Sequence, residues 1–321
     1  MACLMAVAVG GCGGGKSTST PATPDEIVSF AAVQDAGQSV VIVNGPPKVN
    51  FAVYSANQAL KTDLTLANVS FAIAKLVPGS NGNPDQWVNY IYRKETATAG
   101  VGPLGVPALA SAMQATTDAK TSATLLYNAE GYYTYTFTTD ITNPAKTNGV
   151  VFEPGLTHRV AIQLSYTNPG GDTVRVNPYF DFTLDANGKS VPVTDPAKTR
   201  KMTDVASCNG CHDKLALHGG GRVDTQYCVM CHNPGTTDAN SGNNLNLATM
   251  VHKIHAGKLL MSQLATGAKT TRSGGTGTAS TATPRLASRK TCATARCATR
   301  APIRRHRRVT TGRPSQPRKP V

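Results

Sequence analysis

Between Ile27 and about Leu184 the apolar residues come in short runs, not on a helical period. Val40-Val41-Ile42-Val43, Phe51-Ala52-Val53-Tyr54, Phe71-Ala72-Ile73-Ala74, Trp87-Val88-Asn89-Tyr90-Ile91-Tyr92 and Val160 to Tyr166 are rich in β-branched and aromatic residues. Such residues fit a pleated, half-buried surface. Tyr133 to Thr138 alternates Tyr or Phe with Thr, the period of two expected of a strand with one buried and one wet face. Asn44-Gly45-Pro46-Pro47, Pro78 to Gly82, Glu153-Pro154-Gly155 and Asn168 to Gly171 interrupt the runs with turn chemistry. Many short strands with frequent turns predict an antiparallel sandwich or barrel. One helix is expected near Pro107–Ala119.

The pattern changes after Leu184. Residues 185–205 are polar, contain Pro192 and Pro196, and read as a boundary. Residues 246–257 read as a short helix stopped by Gly257. The resulting division is a leader remnant and Gly/Ser/Thr/Pro tether over 1–24, a mainly β domain over 25–200, a small helix-poor segment over 201–268, and a tail over 269–321 expected to be disordered or out of frame.

The β region offers no catalytic constellation. His158 is its only His, at a strand edge, and reads as a surface or hydrogen-bonded residue. Asp140, Glu153, Asp181 and Asp185 lie among turns at no spacing that makes an acid/base pair, so they read as caps and solubilising groups.

The chemistry is concentrated in Cys208–His255. Cys208-Asn-Gly-Cys211-His212 and Cys228-Val-Met-Cys231-His232 are two C-x-x-C-H motifs, the spacing at which two thiols form thioethers to one haem while the adjacent His reaches the iron. Two haem c groups are therefore expected, with His212 and His232 as proximal ligands. His218, His252 and His255 are candidate distal ligands, with the pairing open. Met230 and Met250 are weaker options. At i and i+3, His252 and His255 share one helical face. The segment has few large apolar residues, so the cofactors themselves are expected to form most of its core. The competing chemistry is a four-thiolate zinc site in an exported binding protein whose function lies in the β domain. It fits the paired C-x-x-C spacing but leaves the five His of the segment without use.

Charge adds little to this picture. The net charge of +14 comes from residues 269–321, which hold fourteen Lys and Arg and no acidic residue; the remaining chain carries eighteen of each sign. The pI therefore gives no reason to expect a nucleic-acid partner for the folded part. No Cys lies between 13 and 207, so disulfides do not staple the β region. At the N-terminus Val9-Gly-Gly-Cys12 resembles a lipobox, with Cys12 the lipidated residue. Gly10 to Ser17 also matches a phosphate-binding loop letter by letter. That loop needs a helix behind it, and Ser-Thr-Ser-Thr-Pro-Ala-Thr-Pro is a tether instead.

The run Cys208-Asn-Gly-Cys-His-Asp-Lys-Leu-Ala-Leu-His-Gly-Gly-Gly-Arg, with Tyr227-Cys-Val-Met-Cys-His-Asn-Pro-Gly and Val251-His-Lys-Ile-His-Ala-Gly, resembles the first haem-binding stretch of the OmcA/MtrC family of outer-membrane decahaem cytochromes. The resemblance is dense over residues 200–268. It implies an N-terminal split β-barrel and an exported lipoprotein on the outer membrane at the bacterial cell surface. It further implies bis-His haems that pass electrons to metal oxides or flavins, and a porin-cytochrome complex and other multihaem cytochromes as partners. By motif position it supports His212 and His232 as proximal ligands and His218 with one or both of His252 and His255 as distal ones. The resemblance stops near Ala268. Read from the third base of each codon, Ser288–Thr299 permits a third C-x-x-C-H, so a reading-frame error near residue 269 is expected to have cut off further haem domains. Cys292, Cys297 and His306 then have no role, and the gene's nucleotides test the idea.

Overall fold

The structure is a computed structural model that describes residues 26–55 and 59–257. The expectations for Cys12, the tether and the basic tail lie outside these residues. In chain order the elements are β1 (Glu26–Ser29), α1 (Ala31–Asp35), β2 (Val41–Ile42), β3 (Lys48–Ser55), β4 (Val69–Val77), β5 (Gln86–Asn89), β6 (Tyr92–Thr96) and β7 (Ser111–Ala115). There follow β8 (Thr124–Tyr127), β9 (Tyr133–Thr136), β10 (His158–Thr167), β11 (Thr173–Val176), β12 (Tyr179–Leu184) and β13 (Ser190–Pro192). Three helices complete the described chain: α2 (Val205–His212), α3 (Thr225–Cys228) and α4 (Leu247–His255).

The mainly β class expected from the apolar runs holds. One sheet has the order β1-β3-β9-β8 with β2 on β3, a second has β13-β12-β10-β4-β5 with β11 on β10, and β6 and β7 form a hairpin. All the named pairs are antiparallel. The core lies between the two larger sheets. Val49, Phe51 and Val53 of β3 and Tyr133 and Tyr135 of β9 meet Phe71 and Ile73 of β4 and Val160, Ile162 and Leu164 of β10. Phe71 stacks on Tyr135 with centroids 3.9 Å apart. The alternation of Tyr and Thr in β9 has this physical cause: both Tyr side chains point into the core and both Thr do not.

The second sheet is covered on both faces. Successive side chains of a strand point to opposite sides, so the large residues Phe71 and Ile73 face the first sheet while Ala72, Ala74 and Leu76 face the other way. Those three join Trp87 and Ala161 in a separate cluster with Tyr227, Cys228, Val229, Met230 and Leu247. The alternation of large and small residues in β4 thus makes one face for the β core and one shallow face on which the second C-x-x-C-H rests. The segment after residue 201 therefore takes part of its apolar support from the sheet, more than its composition led one to expect.

Several local expectations change. The helix expected at Pro107–Ala119 is instead β7, paired from Ser111 to Ala115 with β6. The run Trp87–Tyr92 splits between β5 and β6, because the Asn89 side chain accepts from Ile91 N–H (2.7 Å) and turns the chain out of the sheet. The polar stretch after 185 still contributes β13 to the second sheet. Asp140 and Asp185 cap turns as expected. Glu153 and Asp181 are ion-paired with Lys75 and Arg159.

His158 stands at the very start of β10, a central strand, and is hydrogen-bonded and fully buried, not on the surface. Its Nδ1 donates to Leu156 O (2.8 Å), so Nε2 accepts from the Tyr90 hydroxyl (3.0 Å) and the ring is neutral. Burial pushes its pKa down to about 4, with Lys75 acting in the same direction and Leu156 O and Glu153 opposing. A depressed pKa means the unfolded state takes up the proton first. His158 thus contributes stability above its unfolded value near 6.5, and that contribution is lost as pH falls towards 4, by roughly 3 kcal/mol in all. Denaturation midpoints should therefore fall between pH 6.5 and 4.5, and His158→Gln should flatten that part of the profile.

Candidate functional site

Both motifs lie on helical turns, and the sequence around each explains why. The Asp204 side chain caps α2 by accepting from Ser207 N–H (2.8 Å). This places Cys208, Cys211 and His212 at i, i+3 and i+4, on one face. The Asp224 side chain caps α3 by accepting from Gln226 N–H (2.6 Å). The turn runs on past Cys228, whose carbonyl accepts from Cys231 N–H (3.2 Å) and His232 N–H (2.9 Å), so Cys228, Cys231 and His232 repeat the arrangement. The helix expected over 246–257 is α4, capped by the Asn246 side chain on Ala248 N–H (3.2 Å).

The two motifs sit in different surroundings. Cys211 and His212 are exposed, whereas Cys228 and Cys231 are buried against the second sheet. Arg159 of β10 holds the second motif from beneath. Its guanidinium gives two bonds to Asp181 (2.6 and 2.7 Å) and one to Gln226 Oε1 (2.9 Å), between the rings of Trp87 and Tyr179 at 4.4 and 4.3 Å. The Gln226 amide in turn donates to Thr203 O (2.6 Å). Asn89 donates to Met230 O, and Asn177 accepts from Val223 N–H (2.6 Å). The β6–β7 hairpin holds the chain after the motif: Glu95 accepts from Ala239 N–H (3.0 Å), and Asn240 Oδ1 accepts from Thr98 N–H (2.8 Å). Met230 is core, and Met250 packs against the same cluster. None of these anchors was marked in the sequence. Gln226 and Asn89 are ordinary polar residues until Arg159 and Met230 are placed beside them.

The imidazoles meet in pairs. His218 and His232 have ring centroids 5.9 Å apart at 37°, and His212 and His255 have centroids 6.0 Å apart at 89°. Residues 218–220 reach this position through three consecutive positive φ angles (51°, 73° and 85°), which Gly219 and Gly220 adopt without steric cost. His232 Nδ1 donates to Leu245 O (3.0 Å) and His255 Nδ1 to Val251 O (2.8 Å), which leaves each Nε2 for another partner. A hydrogen bond from the far nitrogen is what orients a ligating His. The His218 side chain is exposed, but partial desolvation of its ring and the charges of Arg222 and His232 push its pKa down, and burial lowers His232. Both rings are therefore neutral at pH 7, as a metal ligand must be. His252 is exposed on α4 and, among the described residues, faces no second ring.

An imidazole nitrogen binds a first-row metal at about 2.0–2.1 Å and lies about 1.2 Å from its ring centre, so two rings on opposite sides of one metal have centroids about 6.3 Å apart. Both pairs come close to that spacing. Among the described residues no group of three or more His, Cys, Asp or Glu converges as a metal cage, as a four-thiolate zinc site would require. Burial raises the Cys228 thiol to about 11 and also raises Cys208 and Cys231. A four-thiolate site has no use for the two imidazole pairs, so the residues fit haem better. A cleft of about 200 Å³ beside His232 is lined by Trp87, Arg200, Met202, Val229 and Asn246.

A β domain carrying two C-x-x-C-H turns, each matched to a second imidazole, defines a c-type cytochrome as the class of protein. Residues 35–190 match the OmcA-like N-terminal domain, and residues 200–311 match domains II/IV of the outer membrane cytochromes MtrC/MtrF. The multiheme cytochrome MtrC of Shewanella baltica (strain OS185) is 30% identical over 270 residues, 79% of this chain and 35% of that protein. The crystal structure of the outer membrane decaheme cytochrome OmcA overlays with a TM-score of 0.59 at 27% identity, over 73% of this chain and 33% of that one. The chain belongs to the OmcA/MtrC family of multihaem cytochromes. It spans about a third of the length of these relatives.

Proposed function

We propose that the chain carries two bis-His haem c groups and passes electrons at the bacterial outer surface. Thioethers from Cys208 and Cys211 with His212 and His255 would hold the first, and thioethers from Cys228 and Cys231 with His232 and His218 the second. The observation that carries the reading is the pair of imidazole separations, 6.0 and 5.9 Å. When bound, haem supplies one-electron ferric/ferrous chemistry, with a potential set by the axial ligands, nearby charge and burial.

The protein's own part is holding and tuning. Leu245 O and Val251 O fix the tautomer and rotation of His232 and His255. The second sheet supplies a rigid, apolar floor through Ala72, Ala74 and Ala161 and thereby keeps water from one side of the second motif. The exposed first motif is the natural point of exchange with other groups. The proposal extends to lipid anchoring at Cys12, assembly with a porin-cytochrome complex and other multihaem cytochromes, and extracellular metal oxides or flavins as acceptors. Family membership and the match to the OmcA and MtrC proteins support this extension.

The test is a pyridine haemochrome spectrum and haem-to-protein ratio for the full chain, made in a host that attaches haem c. Two covalent haems per chain are expected. A colourless, zinc-containing product would overturn the reading.

A further inference from the structure

Arg222 follows the His218-Gly-Gly-Gly turn and lies between the second motif and the sheet. Its Nε donates to Gln163 Oε1 (3.3 Å), its guanidinium carbon lies 5.6 Å from the centre of the Tyr227 ring, and its backbone closes the turn against Leu217. Among the described residues it has no carboxylate partner. The buried cation Arg159, 1% exposed, has Asp181, and Lys75, 5% exposed, has Glu153. Arg222 is a half-buried cation near the second motif that lacks one; Arg200, also half-buried on that side, gives its guanidinium to the backbone carbonyl of Asp85.

Arg222 stands within electrostatic reach of that site. It acts on His218, His232, Cys228, Cys231 and Tyr227. These five belong to the second motif, its opposing imidazole and the residue before the motif. Tyr227 itself is fully buried with no partner for its hydroxyl. Arg175 comes near the same turn, so that a Cβ at Gly220 would lie 3.3 Å from its guanidinium carbon, but Arg175 sits on an exposed position of β11. A planar guanidinium is the side chain best matched to a carboxylate, through two parallel bonds. Haem carries two carboxylates.

We infer that Arg222 is a positioning residue for the second haem: its guanidinium binds a haem carboxylate, and its positive charge favours the ferrous state of that iron. The inference rests on the two-haem reading above. A fixed cation near the iron opposes the extra positive charge of the ferric form, and partial burial limits its screening. Arg175, screened by solvent, has a much smaller effect.

The experiment is spectroelectrochemical titration of the full-length holoprotein, wild type against Arg222→Gln, Arg222→Lys and Arg175→Gln. In Arg222→Gln the ferrous-to-ferric ratio of one haem, at fixed applied potential, should fall about three- to tenfold, up to a displacement of about 59 mV. The other haem should be unchanged. Arg222→Lys keeps the charge and should recover most of the difference, and Arg175→Gln should match wild type. Unchanged potentials in Arg222→Gln, or an Arg222→Lys displaced as far as Arg222→Gln, overturn the inference. Should Arg222→Gln fail to take up haem, Arg222→Lys decides: wild-type potentials support the role, and its failure too would assign Arg222 to folding alone. Wild-type protein without covalent haem would instead defeat the two-haem reading, a separate result.

Discussion

On the proposed two-haem assignment, His218→Gly should convert one haem from low-spin to high-spin, His255→Ala should convert the other, and His252→Ala should convert neither. Each conversion would appear as loss of about half of the low-spin Soret and electron-paramagnetic signal. An iron with one imidazole keeps its proximal bond and covalent links but loses the strong field of the sixth ligand, and the structure opposes His218 to His232 and His255 to His212. Glycine is the better replacement at 218, where φ is +51°, since alanine would add backbone strain to the loss of the ligand. Added imidazole should restore the low-spin spectrum in His218→Gly and His255→Ala. A high-spin haem in His252→Ala, with His255→Ala unaffected, would show that the pairing is wrong. The sequence left His252 and His255 equivalent, one helical turn apart on one face. What separates them is that the His212 ring lies against His255.

The second large effect concerns the join between the sheet and the second motif. Arg159→Ala should lower stability by roughly 3–5 kcal/mol, because it leaves the carboxylate of Asp181, 8% exposed, as an uncompensated buried charge. For a domain of this size that corresponds to a fall in melting temperature of roughly 10 °C. Gln226 would lose its partner on the sheet at the same time, and the rings of Trp87 and Tyr179 would lose the guanidinium between them. Calorimetry of the holoprotein should therefore show the lower transition, together with faster loss of low-spin character at the second haem on heating. The double replacement Arg159→Met with Asp181→Leu removes both charges and fills similar volume, and should recover much of the loss. A single variant that melts with the wild type would mean that water already reaches the pair.

The candidate site was legible where chemistry dictates spacing. Cys-x-x-Cys-His is a local requirement, so Cys208, Cys211, His212, Cys228, Cys231 and His232 stood out in the sequence alone, and Gly257 marked where the helix containing α4 stops. The β class was legible because a half-buried strand must alternate, as Tyr133 to Thr136 does. Local preference failed at residues 107–119, where Ala, Leu and Met favour a helix in isolation. There the ladder from Ser111 to Ala115 with β6 overrides it. It failed at Asp181 as well: its neighbours in sequence suggested a turn, yet its partner, Arg159, lies on the adjacent strand.

By itself the sequence determined the two C-x-x-C-H motifs, the strand-rich N-terminal half and the confinement of the net charge to residues 269–321, since each follows from residue type and short-range spacing. Only the tertiary structure decided which imidazole lies against which, that Ala72, Ala74 and Ala161 form the floor of the second motif, and that Arg222 stands beside it with no carboxylate partner among the described residues. Those facts depend on residues far apart in the chain, brought together by strand pairing and burial, and no local pattern records where such a contact will close.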